Sequence, residues 1–399
     1  MKKTIYQKVG MGLFAMGIAL PTFAGYTFGD ATTDTGALTV SGTLRAKYGY
    51  ERYGDGGDSG NAIKFDAAIL NLDYNSPKVF GSAQWRCYQW SRLCDFSTLV
   101  SAYAGYRLNK TDNITLGLQP IPFGPSRYWD MSYYAGLNTQ LGLQDTLDLG
   151  ANYHFELPTA TKVDLGYFFR DGGHYTGTGT GTGTGEKDAA RYTSNMVETD
   201  DLSKTSTKEK DIFVGRIKQD LIFLNSDDLK VAVGASYLHS SVDNKRADQD
   251  GKRDVWALFS TVNYQNLAVT LTGGKQKITN KDEVHPDFTT FGSFDSADNI
   301  ANKGTFYSVD TNYVFKNVWN NLNVTPYLVF SGFNKDQKGW GNSQRNIVGA
   351  EFDYKNMTLY TEYVMGKNDN FIGGNANSLA QGDNGKWNKL FNVRFLYNF

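Results

Sequence analysis

Apolar and polar residues alternate with a period of two along most of the chain. The final segment, 389–399, has apolar residues at every second position: Phe391, Val393, Phe395, Tyr397 and Phe399. Asn392, Arg394 and Asn398 lie between them, and Leu396 is the one exception. Because successive side chains of a strand point to opposite faces, such a segment has one apolar and one polar face. The period predicts an all-β protein.

About sixteen segments with this alternation follow one another. They span about 37–51, 62–74, 79–90, 96–108, 113–121, 146–156, 161–170, 210–224, 229–240, 253–264, 267–279, 303–316, 321–333, 344–354, 357–366 and 386–399. An even number of strands allows one chain to close into an antiparallel barrel with both ends at the same rim. We therefore expect a transmembrane β-barrel of about 16 strands.

The connections between these segments alternate in length. Every second one is short and rich in turn residues: 75–77, 109–112, 157–159, 225–227, 265–266, 319–321 and 355–356. The others are mostly long and rich in Gly, Asp, Asn and Ser: 52–61, 122–145, 171–209, 241–252, 280–302, 334–343 and 367–385. Short periplasmic turns and long extracellular loops are typical of membrane barrels. A soluble β-sandwich has no reason to separate its loops in this way.

The composition agrees with a barrel whose interior is wet. Aromatic residues make up 14 % of the chain, with 25 Tyr and 25 Phe, yet the mean hydropathy is −0.45. An apolar outer band, aromatic girdles and a polar lumen account for both properties. A secreted globular enzyme fits less well, because so many rings would have to share one core.

The first 24 residues resemble a secretory signal peptide. Lys2, Lys3 and Lys8 precede or border the mostly apolar stretch 9–20, and 22–24 supplies small residues for cleavage. We expect cleavage after Ala24 and a single mature barrel domain at 25–399. Losing three lysines and no acid changes the net charge from −1 to about −4. This mild acidity argues against nucleic acid as a partner.

The cysteines and histidines indicate structure rather than catalysis. Cys87 and Cys94 are the only cysteines, and an exported chain favours a disulfide between them. Two cysteines alone cannot form a structural zinc site. The four histidines are dispersed, with no metal-ligand spacing and no accompanying Ser or Cys nucleophile motif. We expect no enzyme, no cofactor and no metal.

Two groups of residues resemble known outer-membrane porins of Gram-negative bacteria. The chain ends on Tyr397-Asn398-Phe399, and in porins a terminal aromatic strand is the signal that the barrel-assembly machinery reads. The motifs at 119–124 (QPIPFG), 133–137 (YYAGL) and 147–150 (LDLG) are similar to those of the phosphate-selective (O/P) porin superfamily. The resemblance implies a homotrimer in the outer membrane, in contact with lipid and lipopolysaccharide. It also implies that 122–145 folds inward as a constriction loop.

Alternation assigns the charged residues of the strands to the lumen. If Leu38 and Leu44 face lipid, then Thr43, Arg45 and Lys47 face inward. The same reasoning places further basic residues inside: Arg86, Arg107, Lys162, Arg216, Lys218 and Arg394. It also places acidic residues there: Asp66, Asp148, Asp164, Asp310, Glu351 and Asp353. A basic residue facing lipid at the bilayer midplane costs about 2–4 kcal/mol, which favours this assignment.

The expected constriction loop carries a cation, an anion and four aromatic rings within eight residues: Arg127, Tyr128, Trp129, Asp130, Tyr133 and Tyr134. An arginine opposite a carboxylate creates a transverse field that favours small dipolar solutes. The alternative is that these rings belong to an interfacial girdle or pack the loop against the wall.

The expected function is passive diffusion of small polar or charged solutes through an outer-membrane channel. Both signs of charge are assigned to the lumen, so the sequence leaves ion preference open and phosphate selectivity in doubt. The alternative is a barrel that does not conduct and serves as an adhesin or structural anchor.

Overall fold

The computed structural model describes residues 25–51, 63–89, 93–94, 96–171, 191–224, 226, 228–294 and 296–399. The expected signal peptide at 1–24 and the expected loop 52–61 lie outside these ranges. Two short 3-10 helices are present in the described part, at Leu137–Thr139 and Ile222–Leu224. No helix there is long and apolar enough to cross a bilayer.

Strands dominate the described residues. In chain order they are β1 Tyr26–Gly29, β2 Ala37–Glu51, β3 Lys64–Asn75, β4 Val79–Tyr88, β5 Phe96–Arg107, β6 Asn113–Pro120, β7 Leu147–Leu157, β8 Thr161–Asp171, β9 Arg191–Met196, β10 Thr207–Asp220, β11 Leu229–Asn244, β12 Gln249–Tyr264, β13 Leu267–Thr279, β14 Phe288–Phe294, β15 Ser296–Ala301, β16 Lys303–Tyr313, β17 Phe315–Trp319, β18 Leu322–Lys335, β19 Ser343–Tyr354, β20 Met357–Lys367 and β21 Trp387–Asn398.

Sixteen of these strands form a closed antiparallel barrel. Each long strand pairs with the next one around the wall, and β2 closes the ring by pairing with β21 from Thr43↔Asn398 to Glu51↔Leu390. The short strands β1 and β17 extend the sheet at one rim, where they pair with β2 and β18. The predicted all-β, 16-stranded barrel is confirmed.

The predicted loops differ from the structure in two places. The hairpin of β11 and β12 pairs as far as Asn244↔Gln249, so most of the predicted loop 241–252 is strand. The long connections 171–209 and 280–302 contain β9, β14 and β15, which form a separate three-stranded sheet. These three strands were missed because both faces are largely buried, so no apolar–polar alternation marks them.

The two faces of the wall differ in chemistry. Large apolar side chains on the outside are exposed, among them Leu258 at 60 % and Phe213 at 55 %. On the inside, wall residues such as Phe168, Phe306 and Phe333 are fully buried against loop residues. The main apolar cluster is therefore enclosed by the barrel and lies along β8–β18.

Candidate functional site

The segment between β6 and β7, residues 121–146, is hydrogen-bonded to the inner face of the wall. The backbone N–H of Met131 donates to Asp310 of β16 (3.0 Å), and that of Tyr133 donates to Glu362 of β20 (2.7 Å). The N–H of Leu137 donates to Ser331 Oγ of β18 (2.8 Å). All three acceptor residues are buried. The segment thus runs from β6 across the interior to the wall of β16–β20.

Two buried arginines hold carbonyl oxygens of the same segment. Arg253 of β12 donates to the Leu141 carbonyl (2.7 Å) and pairs with Glu209 (3.1 Å). Arg345 of β19 donates to the Ala135 carbonyl (3.2 Å) and makes two hydrogen bonds to Asp369, at 2.6 and 2.7 Å. Both arginines are 1 % exposed. Paired charges at these depths fix the segment in one position.

Two of the predicted constriction residues serve the fold of this segment instead. Trp129 is 1 % exposed and packs between Phe123 and Phe306, with ring centroids 6.1 Å away in both cases. The Asp130 carboxylate accepts hydrogen bonds from the N–H groups of Ser132 and Gly136 and from Gln144. Asp130 therefore does not oppose Arg127 across an opening, because its oxygens are taken by donors of its own segment.

Three cations share one carboxylate where β2, β3 and β21 meet. Asp66 lies 2.9 Å from Arg45, 3.4 Å from Lys47 and 3.7 Å from Arg394, and it accepts a hydrogen bond from the Tyr133 hydroxyl (3.1 Å). The register of β2 and β3 shifts between Arg45↔Ala67 and Ala46↔Phe65, so Asp66 is the extra residue of a β-bulge. A bulge redirects a side chain, and this one directs Asp66 toward Arg45.

A second group of charges lies beside the first. Arg127 pairs with Asp145, and its guanidinium also lies 4.9 Å from the Tyr128 ring. Arg86 of β4 donates to the hydroxyls of Tyr192 (2.7 Å) and Tyr88 (3.2 Å).

Tyrosines connect the two groups. Arg45 lies over the rings of Tyr88 (5.2 Å) and Tyr133 (5.3 Å), and Arg394 lies over Tyr133 (5.2 Å). We call the whole set the cation cluster, and its charged members are Arg45, Lys47, Arg86, Arg127, Arg394, Asp66 and Asp145. Five cations against two carboxylates leave an excess of three positive charges.

The remaining predicted basic residues lie apart from the cation cluster. Arg107 is bound to the turn that follows β3, where it donates to the Ser76 carbonyl (2.7 Å) and to Asn75 (2.8 Å). Arg216 pairs with Asp164 at 2.7 Å, and Asp164 is also 2.9 Å from His154. Lys162 and Lys218 lie on β8 and β10 nearby, where they face each other in the strand pairing.

Tyr134 of the predicted set contacts the next loop. Its hydroxyl donates to the Phe371 carbonyl (3.3 Å), and the Arg345 guanidinium lies 5.3 Å from its ring. Tyr128, in contrast, is 40 % exposed beside Arg127. Of the six predicted loop residues, Tyr128 is therefore exposed, Arg127 is half-buried in its pair with Asp145, and the other four bind the segment to its surroundings.

The two predicted disulfide cysteines and Phe399 have definite positions in the structure. Cys87 and Cys94 are joined in a disulfide at the tip of the β4–β5 hairpin, with Cα atoms 4.8 Å apart. Phe399 exchanges two backbone hydrogen bonds with Gly42, at 2.8 and 3.0 Å, so the chain end lies at the seam of the barrel. Within the described ranges, no group of three or more potential metal ligands occurs.

Sequence reasoning missed three members or neighbours of the cation cluster. Tyr88 has the same strand parity as Arg86, a signal that could have found it. Asp145 lies just before β7, outside any alternating segment. Tyr192 comes from β9, whose sequence RYTSNM has no alternating pattern, so nothing in the sequence pointed to it.

The fold and its interior define a class of protein. A closed barrel pairs the backbone N–H and C=O groups of all its strands, and an apolar outer wall around a charged interior suits a lipid bilayer. The chain is a transmembrane β-barrel of the bacterial outer-membrane type.

Comparison with solved structures agrees with this class. The outer-membrane channel DcaP of Acinetobacter baumannii matches with a TM-score of 0.57 at 13 % identity, over 92 % of this chain and 99 % of that one. OmpF of Salmonella typhi, in complex with daunomycin, matches with a TM-score of 0.58 at 12 % identity, over 94 % and 100 %. The trimer form of OmpT from Vibrio cholerae gives 0.52 at 14 %, over 91 % and 99 %. At these identities the likeness is one of fold.

Sequence comparison adds no family. No protein-family model matches the chain, and no curated protein matches it.

Proposed function

We propose that the protein is a porin of the Gram-negative outer membrane, through which small polar and charged solutes diffuse passively with a preference for anions. The observation that carries the preference is the cation cluster, with its excess of three positive charges. A one-sign group of charges in a low-dielectric channel raises the local concentration of the opposite ion.

Several acidic residues inside the barrel bind the segment 121–146 and are almost closed to solvent. Asp130, Asp310 and Glu362 accept backbone N–H groups of the segment 121–146 and are only 6 %, 3 % and 1 % exposed. The side chains of Lys47 and Arg127 are 30 % and 22 % exposed. These carboxylates bind the loop, whereas Lys47 and Arg127 keep partial access to solvent.

The segment 121–146 is proposed as the constriction. Its contacts with β11, β12, β16, β18, β19 and β20 carry it across the interior, and it brings Arg127 and Tyr128 to the cation cluster. Narrowing at a charged position gives each charge the greatest effect on a passing ion.

The setting follows from the same proposal. One similar structure is described as a trimer form, and we propose a homotrimer surrounded by lipid and lipopolysaccharide. Export would remove 1–24, and the barrel-assembly machinery would read the terminal strand ending in Phe399. Membership of the phosphate-selective (O/P) superfamily rests on the motifs between 119 and 150.

The reversal potential in a KCl gradient tests the preference. The current through wild-type channels in a planar bilayer is expected to reverse at a potential on the chloride side of zero. Lys47→Gln and Arg86→Gln each remove one positive charge, which lowers the excess from three to two. The reversal potential of each variant should therefore lie closer to zero.

Lys275→Gln is the matched control. Lys275 is exposed and pairs with Asp336 (2.9 Å), away from the cation cluster, so its loss should leave the reversal potential unchanged. A wild type that prefers potassium, or cluster variants that behave like this control, would overturn the anion preference.

A non-conducting barrel that serves as an adhesin or anchor is the second candidate. It is favoured by the apolar cluster that β8–β18 enclose, because Phe123, Trp129, Leu141 and Phe291 fill much of that side of the interior. Current through the folded protein distinguishes the two functions.

A further inference from the structure

We infer that Tyr192, which comes from a second extracellular loop, determines ion selectivity by holding Arg86 and Asp145 apart. The inference rests on the proposed anion preference and assigns a specificity role to a residue outside the segment 121–146. It begins from the hydrogen bonds of one hydroxyl group.

The Tyr192 hydroxyl lies between the two charges. It accepts a hydrogen bond from Arg86 Nη1 (2.7 Å) and donates one to Asp145 Oδ2 (2.9 Å). A phenol has one hydrogen to donate and lone pairs to accept with, so this geometry uses it in both directions. The guanidinium also lies over the Tyr192 ring, 4.8 Å from its centroid. Tyr192 therefore separates the two charges as a neutral spacer.

The spacer leaves Arg86 without a carboxylate. Its hydrogen bonds go to Tyr192, Tyr88 and Gln84, which are all neutral, and no ion pair joins Arg86 to any residue within the described ranges. Both oxygens of Asp145 meanwhile have a partner, since Arg127 donates to Oδ1 and Tyr192 donates to Oδ2. The hydroxyl leaves the excess of the cation cluster at three, but it fixes where the charge of Arg86 lies.

The hydroxyl stays neutral over the working range of pH. Burial raises the pKa of Tyr192 well above its usual range, and the charge of Asp145 acts in the same direction against the opposing effect of Arg86. A tyrosinate would itself pair with Arg86 and cancel its charge. The neutral phenol does not.

Aromatic contacts fix the ring of Tyr192. Its centroid lies 6.1 Å from that of Phe294 on β14, which pairs with β9. Phe294 in turn lies 6.0 Å from Tyr88 and 5.8 Å from Phe96, at the disulfide-closed end of the β4–β5 hairpin. Edge-on and tilted ring pairs of this kind hold a defined geometry. The small sheet is thus seated on the wall beside Arg86.

Removing the Tyr192 hydroxyl should bring Arg86 and Asp145 together. In Tyr192→Phe, Arg86 and Asp145 both lose a hydrogen-bond partner, and the attraction between desolvated opposite charges favours their direct contact. The excess of the cation cluster stays at three, but the charge of Arg86 is drawn against Asp145 and acts less on a passing ion. The chloride-to-potassium permeability ratio is expected to fall toward that of Arg86→Gln.

Double variants isolate this mechanism. Tyr192→Phe should have no further effect in an Arg86→Gln background, where no cation is left to pair. It should also have no effect in an Asp145→Asn background, where no carboxylate is left. Tyr237→Phe is the matched control, because the Tyr237 hydroxyl donates to Asp254 (2.8 Å) on the exposed outer wall.

The measurement is the reversal potential of full-length protein in planar bilayers under a KCl gradient, with stable single-channel steps as proof of folding. A chloride-to-potassium permeability ratio of Tyr192→Phe equal to or above that of the wild type would overturn the inference. It would also be overturned if Tyr192→Phe lowered the ratio as much in the Arg86→Gln and Asp145→Asn backgrounds as in the wild type. A wild-type channel without anion preference would instead overturn the proposed function.

Discussion

At the scale of single residues, Asp66 shows how a local irregularity shapes the charge of the interior. The β-bulge between β2 and β3 places its carboxylate within 3.7 Å of three cations. Arg45 and Asp66 are both buried, with side chains 8 % exposed, so solvent screens their attraction weakly. One carboxylate thus holds together three like charges that would otherwise repel.

Replacing this carboxylate should change selectivity and stability in opposite directions. In Asp66→Asn the positive excess rises from three to four, and the chloride-to-potassium permeability ratio should rise with it. The protein should unfold at lower denaturant concentration, because three neighbouring cations lose their shared counter-charge. Reversal potentials and denaturant titrations measure the two effects.

Asp73→Asn is the control on the same strand. Asp73 is exposed, and no ion pair involves it among the described residues, so the same loss of charge should leave stability unchanged. An Asp66→Asn variant indistinguishable from this control would contradict the role given to the shared carboxylate.

Strand parity could predict part of this site. It places Arg45, Lys47, Arg86 and Arg394 on one face because the wall alternates regularly at those positions. It also assigns Asp66 to the lumen, but it does not predict the bulge that directs its carboxylate toward Arg45. Tyr192 could not be found this way, because its contacts depend on a tertiary pairing between β9 and β14.

At the scale of elements, the segment 121–146 is held on several sides. Carboxylates of the wall accept hydrogen bonds from its N–H groups, and Arg253 and Arg345 donate to its carbonyls. Trp129 packs it into the apolar cluster. A loop bound through both its donors and its acceptors keeps a fixed position. This predicts steady rather than fluctuating current through the channel.

Removing the Arg345 guanidinium should loosen the segment 121–146. Arg345→Leu leaves Asp369 buried without its partner, which costs about 3–5 kcal/mol when a buried pair is broken. The free energy of unfolding should fall by that amount, and open-channel noise should rise because the Ala135 carbonyl loses its donor. Denaturant titration and single-channel recording measure the two effects.

The double variant Arg345→Leu with Asp369→Leu provides the comparison. It removes both charges, so most of the lost stability should return, while the noise should persist. Open-channel noise at the wild-type level in Arg345→Leu would contradict the role given to Arg345 in holding the segment 121–146.

The elements of the wall were predictable and those of the inner sheet were not. Long strands with one lipid-facing side carry a strong period of two, which gave the 16 strands and their order. The strands β9, β14 and β15 pack both faces against protein, and burial on both sides removes the period on which prediction depends.

At the scale of the whole molecule, the interior is divided. The apolar cluster occupies the side of β8–β18, whereas the cation cluster lies on β21, β2, β3 and β4 with the tip of the inner sheet. The proposed path for ions is bordered by the arginines and tyrosines of the cation cluster.

The most direct test of this account is ion conduction by the purified, folded protein in a planar bilayer. We expect stable stepwise currents, with a reversal potential in a KCl gradient on the chloride side of zero. A correctly folded barrel that never conducts, or one that reverses on the potassium side, would contradict it.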